Sequence, residues 1–212
     1  MYGWQVVEKS QLGPQKYAEP IVLQNDQYLL VFSASTGLLP SINDAAGQTH
    51  AVRLEFKRYT TTRSGAYLFW PNGVGDIVKY PHYIRLLEGP LYSELHVVVP
   101  GLMRHVVRLF NSSTTLDHFI LIENTHDFSS EDNMEAVMRL TTDIGNNMTF
   151  FTDSNGFQMV RRRTSQELPL QANYFPATTM AFLQDNETRL TMHLARGHGV
   201  GSQDLGQIEV EI

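Results

Sequence analysis

No stretch of ten or more residues in this sequence combines apolar side chains at helical spacing with a helix cap. Short runs rich in Val, Ile, Leu, Phe and Tyr follow one another instead, and turn-forming residues separate them. We predict strands at residues 28–32, 51–57, 67–70, 83–87, 91–99, 103–110, 116–123, 136–141, 179–183, 189–194 and 207–212. This many strands with almost no helix predicts an all-β fold, either a large sandwich or an open barrel.

Residues 51–57 alternate between apolar and charged side chains, which predicts a strand with one dry and one wet face. The apolar face carries Val52, Leu54 and Phe56, and the charged face carries Arg53, Glu55 and Lys57.

Farther along, Asn155-Gly156 gives the strongest hairpin signal, because both residues tolerate positive φ.

Composition limits the classes of partner. The 212 residues include 42% hydrophobic and 18% charged residues, which suits one large globular domain. The formal net charge of −6 argues against nucleic acid. With no cysteine, disulfides and thiolate metal sites are excluded. No apolar run reaches the roughly 18 residues of a membrane span, so we expect no direct membrane contact.

The chain divides into a leading segment and one domain. Residues 1–20 show no periodicity and are predicted to be a linker, whereas residues 21–212 show the strand pattern throughout. Residues 208–212 alternate up to the final position, which predicts a domain truncated at its C-terminal end.

Histidine and carboxylate spacing gives no strong site. His193, His198 and Asp204 are the best metal candidates, but we expect His193 on a strand and His198 at the tip of a glycine-rich loop. His96, His105 and His118 fall within predicted strands, as polar-face or core-edge residues. No catalytic or metal-binding residue is assigned.

A glycosidase needs two carboxyl groups several ångströms apart. The acidic residues here are scattered over predicted turns and wet strand faces, where a solvated role is expected; examples are Glu131, Asp132, Asp143, Asp153 and Asp185. Aromatic side chains could stack on sugar rings, although most should be core. These aromatic residues are Tyr67, Phe69, Trp70, Tyr80, Tyr83, Tyr92, Tyr174 and Phe175.

Three N-x-[ST] sequons, at Asn111, Asn147 and Asn186, predict N-glycosylation at surface turns of a luminal protein.

Several segments resemble one enzyme family in the same order. They are TGLL at residues 36–39, RSGAYLFWP at 63–71, FFTDSNGFQ at 150–158, LPLQANYFP at 168–176, MAFLQD at 180–185 and GQIEV at 206–210. Together they resemble the C-terminal β-region of the class II α-mannosidases (glycoside hydrolase family 38), which are retaining, zinc-dependent enzymes. LPLQAN at residues 168–173 and Gln158 resemble the Golgi-type enzymes.

The resemblance implies a large antiparallel β super-sandwich of the galactose-mutarotase type. It also implies an enzyme that hydrolyses terminal α-mannose residues of N-glycans in the Golgi lumen. In that family, the zinc ligands and catalytic aspartates lie in an N-terminal domain. This chain is therefore expected to hold no cofactor and to be inactive alone, with that catalytic domain and a mannose-containing glycan as its partners.

The same resemblance implies one substrate-binding residue. The family's Ser-Gly-Ala-Tyr tyrosine contacts the bound mannose, and it matches Tyr67 here. From the residues alone, Tyr67 would be interpreted as a core tyrosine. A stand-alone carbohydrate-binding sandwich and an inactive structural fragment remain alternatives to the enzyme domain.

Overall fold

The computed structural model describes residues 17–62, 68–78, 83–112, 114–127, 129 and 132–212. In these ranges it contains seventeen strands and two 3₁₀ helices, and no α-helix. The strands are β1 (Ile21–Gln24), β2 (Tyr28–Phe32), β3 (Ser41–Asp44), β4 (Thr49–Thr60), β5 (Asp76–Ile77), β6 (Tyr83–Glu88), β7 (Tyr92–Val99), β8 (Met103–Phe110), β9 (Ile120–His126), β10 (Met134–Thr142), β11 (Thr149–Ser154), β12 (Gln158–Arg163), β13 (Tyr174–Ala177), β14 (Met180–Gln184), β15 (Arg189–His193), β16 (His198–Gly201) and β17 (Gln207–Glu211). The 3₁₀ helices span Thr115–His118 and Leu170–Asn173. The all-β prediction is confirmed.

The strands form three antiparallel sheets. The largest has the order β1-β2-β3-β4-β10-β17-β16-β13, with β5 paired to β4. The two smaller sheets have the orders β6-β7-β8-β9 and β12-β11-β14-β15. One continuous hydrophobic core contains side chains from all three sheets, for example Leu54, Leu95 and Leu183. This layering of sheets around a shared core is consistent with a β-sandwich.

Strand β4 confirms one half of its predicted pattern and contradicts the other. Val52, Leu54 and Phe56 face the core and are 5%, 2% and 4% exposed. Arg53 is exposed as predicted. Glu55, however, is only 8% exposed, and Lys57 is half-buried. The prediction of a wet second face is therefore wrong at Glu55 and Lys57, because other parts of the chain cover that face there.

Several local predictions also need correction. The strand predicted at 116–123 starts only at Ile120, and His118 belongs to a 3₁₀ helix capped by the Thr114 side chain. His198 begins β16 and does not tip a loop. In the run predicted at 67–70, the described residues 68–70 form no extended strand.

Within the described ranges, no helix has the length and apolar character that a membrane crossing requires.

The Asn155-Gly156 hairpin is confirmed. Strands β11 and β12 pair from Thr149↔Arg163 to Ser154↔Gln158. Asn155 and Gly156 have φ values of 52° and 73° in the loop between them. The sequence therefore supplied residues that tolerate the left-handed conformation where the loop requires it.

A fully buried histidine makes the fold sensitive to acid. His105 on β8 is 0% exposed, packs edge-on against Phe56 and bonds Asn124 Oδ1 through Nδ1 at 2.8 Å. Its Nε2 has no hydrogen-bond partner among the described residues. Burial lowers the pKa of His105 to about 4, although the Asn124 bond opposes the shift.

We expect stability to fall as the pH drops from about 6.5, the unfolded pKa of histidine, towards 4. Between these pH values His105 is protonated in the unfolded chain but stays neutral in the folded chain. The loss should reach at most about 3 kcal/mol, since one pKa unit corresponds to about 1.4 kcal/mol. Urea unfolding at pH 7 and pH 5 would measure it. His105→Leu should flatten the dependence, and an equally steep curve in that variant would contradict the assignment.

Candidate functional site

A row of polar side chains crosses the large sheet on the face opposite the core. Glu55 of β4 lies opposite Arg139 of β10, which lies opposite Glu209 of β17. Glu209 pairs in turn with Gly201 of β16, and Gly201 pairs with Tyr174 of β13. Because paired residues project from the same face of a sheet, these side chains form one line across it.

The carboxylate of Glu209 is the centre of this row, and the residue is only 1% exposed. Its Oε1 accepts hydrogen bonds from the hydroxyls of Tyr59, at 2.9 Å, and Tyr174. Its Oε2 accepts from Arg139 Nε at 2.6 Å, and Arg139 Nη2 donates to the Tyr59 hydroxyl at 3.0 Å. We call Glu55, Tyr59, Arg139, Tyr174 and Glu209 the Glu209 network.

The charged side chains of the network have partners of opposite charge within 4 Å. Arg139 Nη1 lies 3.9 Å from Glu55 Oε1, in addition to its contacts with Glu209. Lys57 Nζ also lies 3.9 Å from Glu55 Oε1. Two carboxylates therefore meet two cations on a largely buried face, which is the condition under which proteins tolerate buried charge.

The protonation states fit an anchoring role. Burial raises the pKa of Tyr59 and of Tyr174 above the usual range, and the charge of Glu209 adds to both shifts. Burial is the largest influence on the pKa of Arg139 and lowers it, but the charge and hydrogen bond of Glu209, together with Tyr59 and Glu55, outweigh burial and the net shift is upward. At neutral pH both tyrosines are thus hydrogen-bond donors and Arg139 is a cation. The network can therefore fix the geometry of the side chains that it joins.

The network also contacts a neighbouring segment, residues 68–78. The Phe69 ring packs edge-to-face against Tyr59 and Tyr174, with centroid distances of 5.5 and 5.1 Å. Farther along, a Cβ on Gly75 would lie 3.0 Å from the Tyr59 ring, so the missing side chain lets the backbone pass there. Both Phe69 and Gly75 therefore contact the same tyrosine.

Hydrogen bonds tie the 68–78 segment to β4. The amide of Asn72 donates to Thr60 O at 2.8 Å, and the amide of Val78 donates to Phe56 O at 3.0 Å. Lys57 Nζ donates to Gly75 O at 3.2 Å. The segment is held against β4 at several points along its length.

The predicted mannose contact, Tyr67, lies outside the described residues. The three residues that follow it are described. Leu68 and Trp70 are 49% and 42% exposed, whereas Phe69 is half-buried in the contacts above. The chain that follows Tyr67 thus has one inward aromatic anchor between two more exposed apolar side chains.

The histidines weighed as metal ligands lie in separate places. His193 packs edge-on against Phe119, and His198 Nδ1 bonds Glu211 O at 2.7 Å. The Asp204 side chain accepts from the Leu205 amide. In the described part of the chain, no group of three or more His, Cys, Asp or Glu side chains is placed to hold a metal ion. The donor set that zinc requires is therefore not found in these residues.

Asp153 differs from its predicted role as a solvated turn residue. It is 3% exposed, and its carboxylate accepts from the backbone amides of Gly156, Thr178, Thr179 and Met180 at 2.7–3.1 Å. Asp185 caps a second turn through the amides of Gly145, Glu187 and Thr188. These two carboxylates are used to fix backbone.

The three sequon asparagines, Asn111, Asn147 and Asn186, are exposed and lie outside the strands. Asn147 has a φ of 48°, as turn residues often do. Their position leaves room for a glycan, and glycosylation of the three sites stays a prediction.

Sequence reasoning missed the Glu209 network. One signal was available: in residues 207–211, Glu209 alternates with Ile208 and Val210, so it must project from the face opposite those two apolar side chains. The pattern could not reveal that this second face is covered too, since the covering residues come from distant parts of the chain.

Comparison with known proteins identifies the family. The sequence profile described as "Glycosyl hydrolases family 38 C-terminal domain" matches residues 23–212. Human alpha-mannosidase 2 is 38% identical over 199 residues, and mouse alpha-mannosidase 2x is 38% identical over 200 residues. Each match covers 91% of this chain and 17% of the relative. Alpha-mannosidase 2 of Drosophila melanogaster is 38% identical over 189 residues, covering 86% of this chain and 16% of the relative.

This chain thus spans about a sixth of the length of the curated relatives that it matches. The profile covers nearly all of the β-rich region, from β1 to the end of β17. The chain belongs to the glycosyl hydrolase family 38 C-terminal domain family.

Proposed function

We propose that this chain works as the C-terminal β-domain of a Golgi-type α-mannosidase. The whole enzyme would hydrolyse terminal α-mannose residues during N-glycan processing in the Golgi lumen. The observation that carries the proposal is the family match over residues 23–212, together with 38% identity to alpha-mannosidase 2 enzymes. In this proposal the partners are a mannose-containing glycan and an N-terminal catalytic domain, which would also bind the zinc ion.

The domain would have two tasks in the whole enzyme. It would brace the catalytic domain, and it would lend one wall of the mannose site through Tyr67. The anchored 68–78 segment supports the second task, because a residue that contacts substrate needs a firmly placed backbone beside it. The exposed side chains of Leu68 and Trp70 support the first, since apolar surface of this kind is suited to a domain contact.

The isolated chain should not hydrolyse an aryl α-mannoside, whereas the whole enzyme should. In the whole enzyme, Tyr67→Phe should keep the ring and remove one hydrogen bond to the sugar. We expect kcat/KM to fall about ten- to thirty-fold, since a lost hydrogen bond of this kind is worth about 1–2 kcal/mol. The melting temperature should barely change.

Tyr83→Phe is the matched control, because this tyrosine is exposed at the start of β6. Its kinetics should equal those of the unmutated enzyme. A lowered melting temperature with unchanged kinetics in Tyr67→Phe would make Tyr67 structural. Zinc-dependent turnover by the isolated chain would contradict the proposed division of labour between the domains.

A further inference from the structure

We propose that the Glu209 network positions the 68–78 segment, which follows the proposed mannose contact Tyr67 in the chain, so that Tyr174 and Glu209 act as positioning residues for a sugar they do not touch. The inference rests on the proposed function, because it needs Tyr67 to contact substrate. Its structural basis lies entirely in described residues: Phe69, two positions after Tyr67, packs against both tyrosines whose hydroxyls share Glu209 Oε1.

The hydrogen bonds to Glu209 fix the orientation of the Tyr59 and Tyr174 rings. A tyrosine ring in an apolar pocket can tilt, but a hydroxyl bound to a buried acceptor fixes the direction of the ring axis. Glu209 binds two hydroxyls with one oxygen and is itself held by Arg139. A single carboxylate therefore determines the orientation of both tyrosine rings against which Phe69 packs.

The free energy of folding does not explain why this face of the sheet carries charged side chains. Replacing a buried ion pair by apolar side chains of similar volume is often neutral or stabilising, so stability alone gives little reason to build this network. Apolar side chains would fill the same space, yet they would leave the tilt of Tyr59 and Tyr174 unspecified. What the polar groups add here is a defined geometry at Phe69.

The 68–78 segment lies directly against the network and against β4. The 68–78 segment contacts Tyr59 through both Phe69 and Gly75, and Asn72 bonds the backbone of β4. Movement of the Tyr59 and Tyr174 rings would thus be passed to Phe69 and to the chain beside it. Displacing a substrate-contacting group by about 1 Å can cost as much as a hundred-fold in rate.

The test is a double-mutant cycle between Tyr67 and Tyr174 in the whole enzyme, assayed with an aryl α-mannoside. Tyr174→Phe removes only the hydroxyl that Glu209 holds. We expect it to lower kcat/KM about three- to ten-fold. Combined with Tyr67→Phe, it should add little further loss, because both changes act through the same sugar contact.

Tyr28→Phe is the control, since its hydroxyl donates to His118 O at 3.2 Å, far from the network in sequence and on another pair of elements. It should leave kcat/KM unchanged. A second readout does not depend on activity: amide hydrogen exchange at Phe69, Trp70 and Asn72 should speed up in Tyr174→Phe and stay unchanged in Tyr28→Phe.

The possible outcomes distinguish the positioning role of the network from the proposed sugar contact of Tyr67. A kinetic loss in Tyr174→Phe that vanishes in the Tyr67→Phe background, with faster exchange at Phe69, supports the positioning role. Unchanged kinetics in Tyr174→Phe beside the expected loss in Tyr67→Phe overturns this inference alone. Fully additive losses also overturn it, because additivity means that the two tyrosines act separately. A silent Tyr67→Phe overturns the proposed sugar contact and the positioning role together.

Discussion

Replacing Arg139 with leucine is expected to lower the free energy of unfolding by about 4 kcal/mol, because breaking a buried ion pair leaves the remaining charge without compensation. Arg139 is the main counterion of Glu209, which is 1% exposed. With arginine gone, the donors that the carboxylate would keep among the described residues are the two tyrosine hydroxyls. Urea unfolding of the two proteins, followed by circular dichroism, would measure the difference.

Arg104→Leu is the control for that variant. Arg104 lies on β8 with an exposed side chain, so its replacement should change stability by less than about 0.5 kcal/mol. The double variant Arg139→Leu/Glu209→Leu should regain much of the loss, since removing both charges removes the uncompensated one. If Arg139→Leu stays within about 1 kcal/mol of the unmutated chain, the pair is not desolvated as the structure indicates.

Asp153→Ala is expected to cost about 4 kcal/mol or more, because it removes four hydrogen bonds to one buried carboxylate and hydrogen bonds to charged groups are worth about 1.5–3 kcal/mol each. The carboxylate accepts from the Gly156 amide in one hairpin loop and from Thr178, Thr179 and Met180 at the start of β14. It therefore joins two turns that are distant in sequence. Unfolding in guanidinium chloride would measure the loss.

The charge of Asp153 adds a pH signature. Burial alone would raise the pKa of this carboxyl, but the four backbone amides outweigh it and hold the pKa well below its usual range. Its contribution is thus fully present above about pH 4, the unfolded value, and is lost as the pH falls further. The unmutated chain and Asp153→Ala should then converge in stability at acid pH.

Asp185→Ala, which removes a more exposed turn cap, should have a clearly smaller effect. Equal losses in the two variants would contradict the special role of Asp153.

The fold class could be read from the sequence because alternation and turn chemistry are local properties. Strands β2 and β8 have the bounds that the pattern predicts, and the Asn155-Gly156 hairpin lies where two residues tolerant of positive φ follow each other. The start of β9 was misplaced because the apolar residues after Thr114 fit a 3₁₀ helix as well as a strand. Short apolar runs do not separate these alternatives.

The second face of the large sheet could not be predicted, because burial there depends on pairing between distant strands. Glu55 and Lys57 alternate with apolar residues as solvent-facing side chains do, yet Arg139 and the 68–78 segment cover them. Asp153 was misjudged for the same reason, since its amide partners at 178–180 are 25 or more residues away. Tyr67 was assigned by resemblance alone, and that assignment stays a prediction.

The position of β17 inside the large sheet has a consequence for how the protein is made. This strand lies between β10 and β16, although Arg139 and Glu209 are 70 residues apart in the chain. At a synthesis rate of about 5–20 residues per second, roughly 4–14 seconds separate the appearance of the two strands. During that time the backbone N–H and C=O groups of β10 that later pair with β17 have no partner strand and are open to pairing with another chain. We therefore expect folding to be slow and to depend on chaperones that shield these backbone groups until β17 arrives.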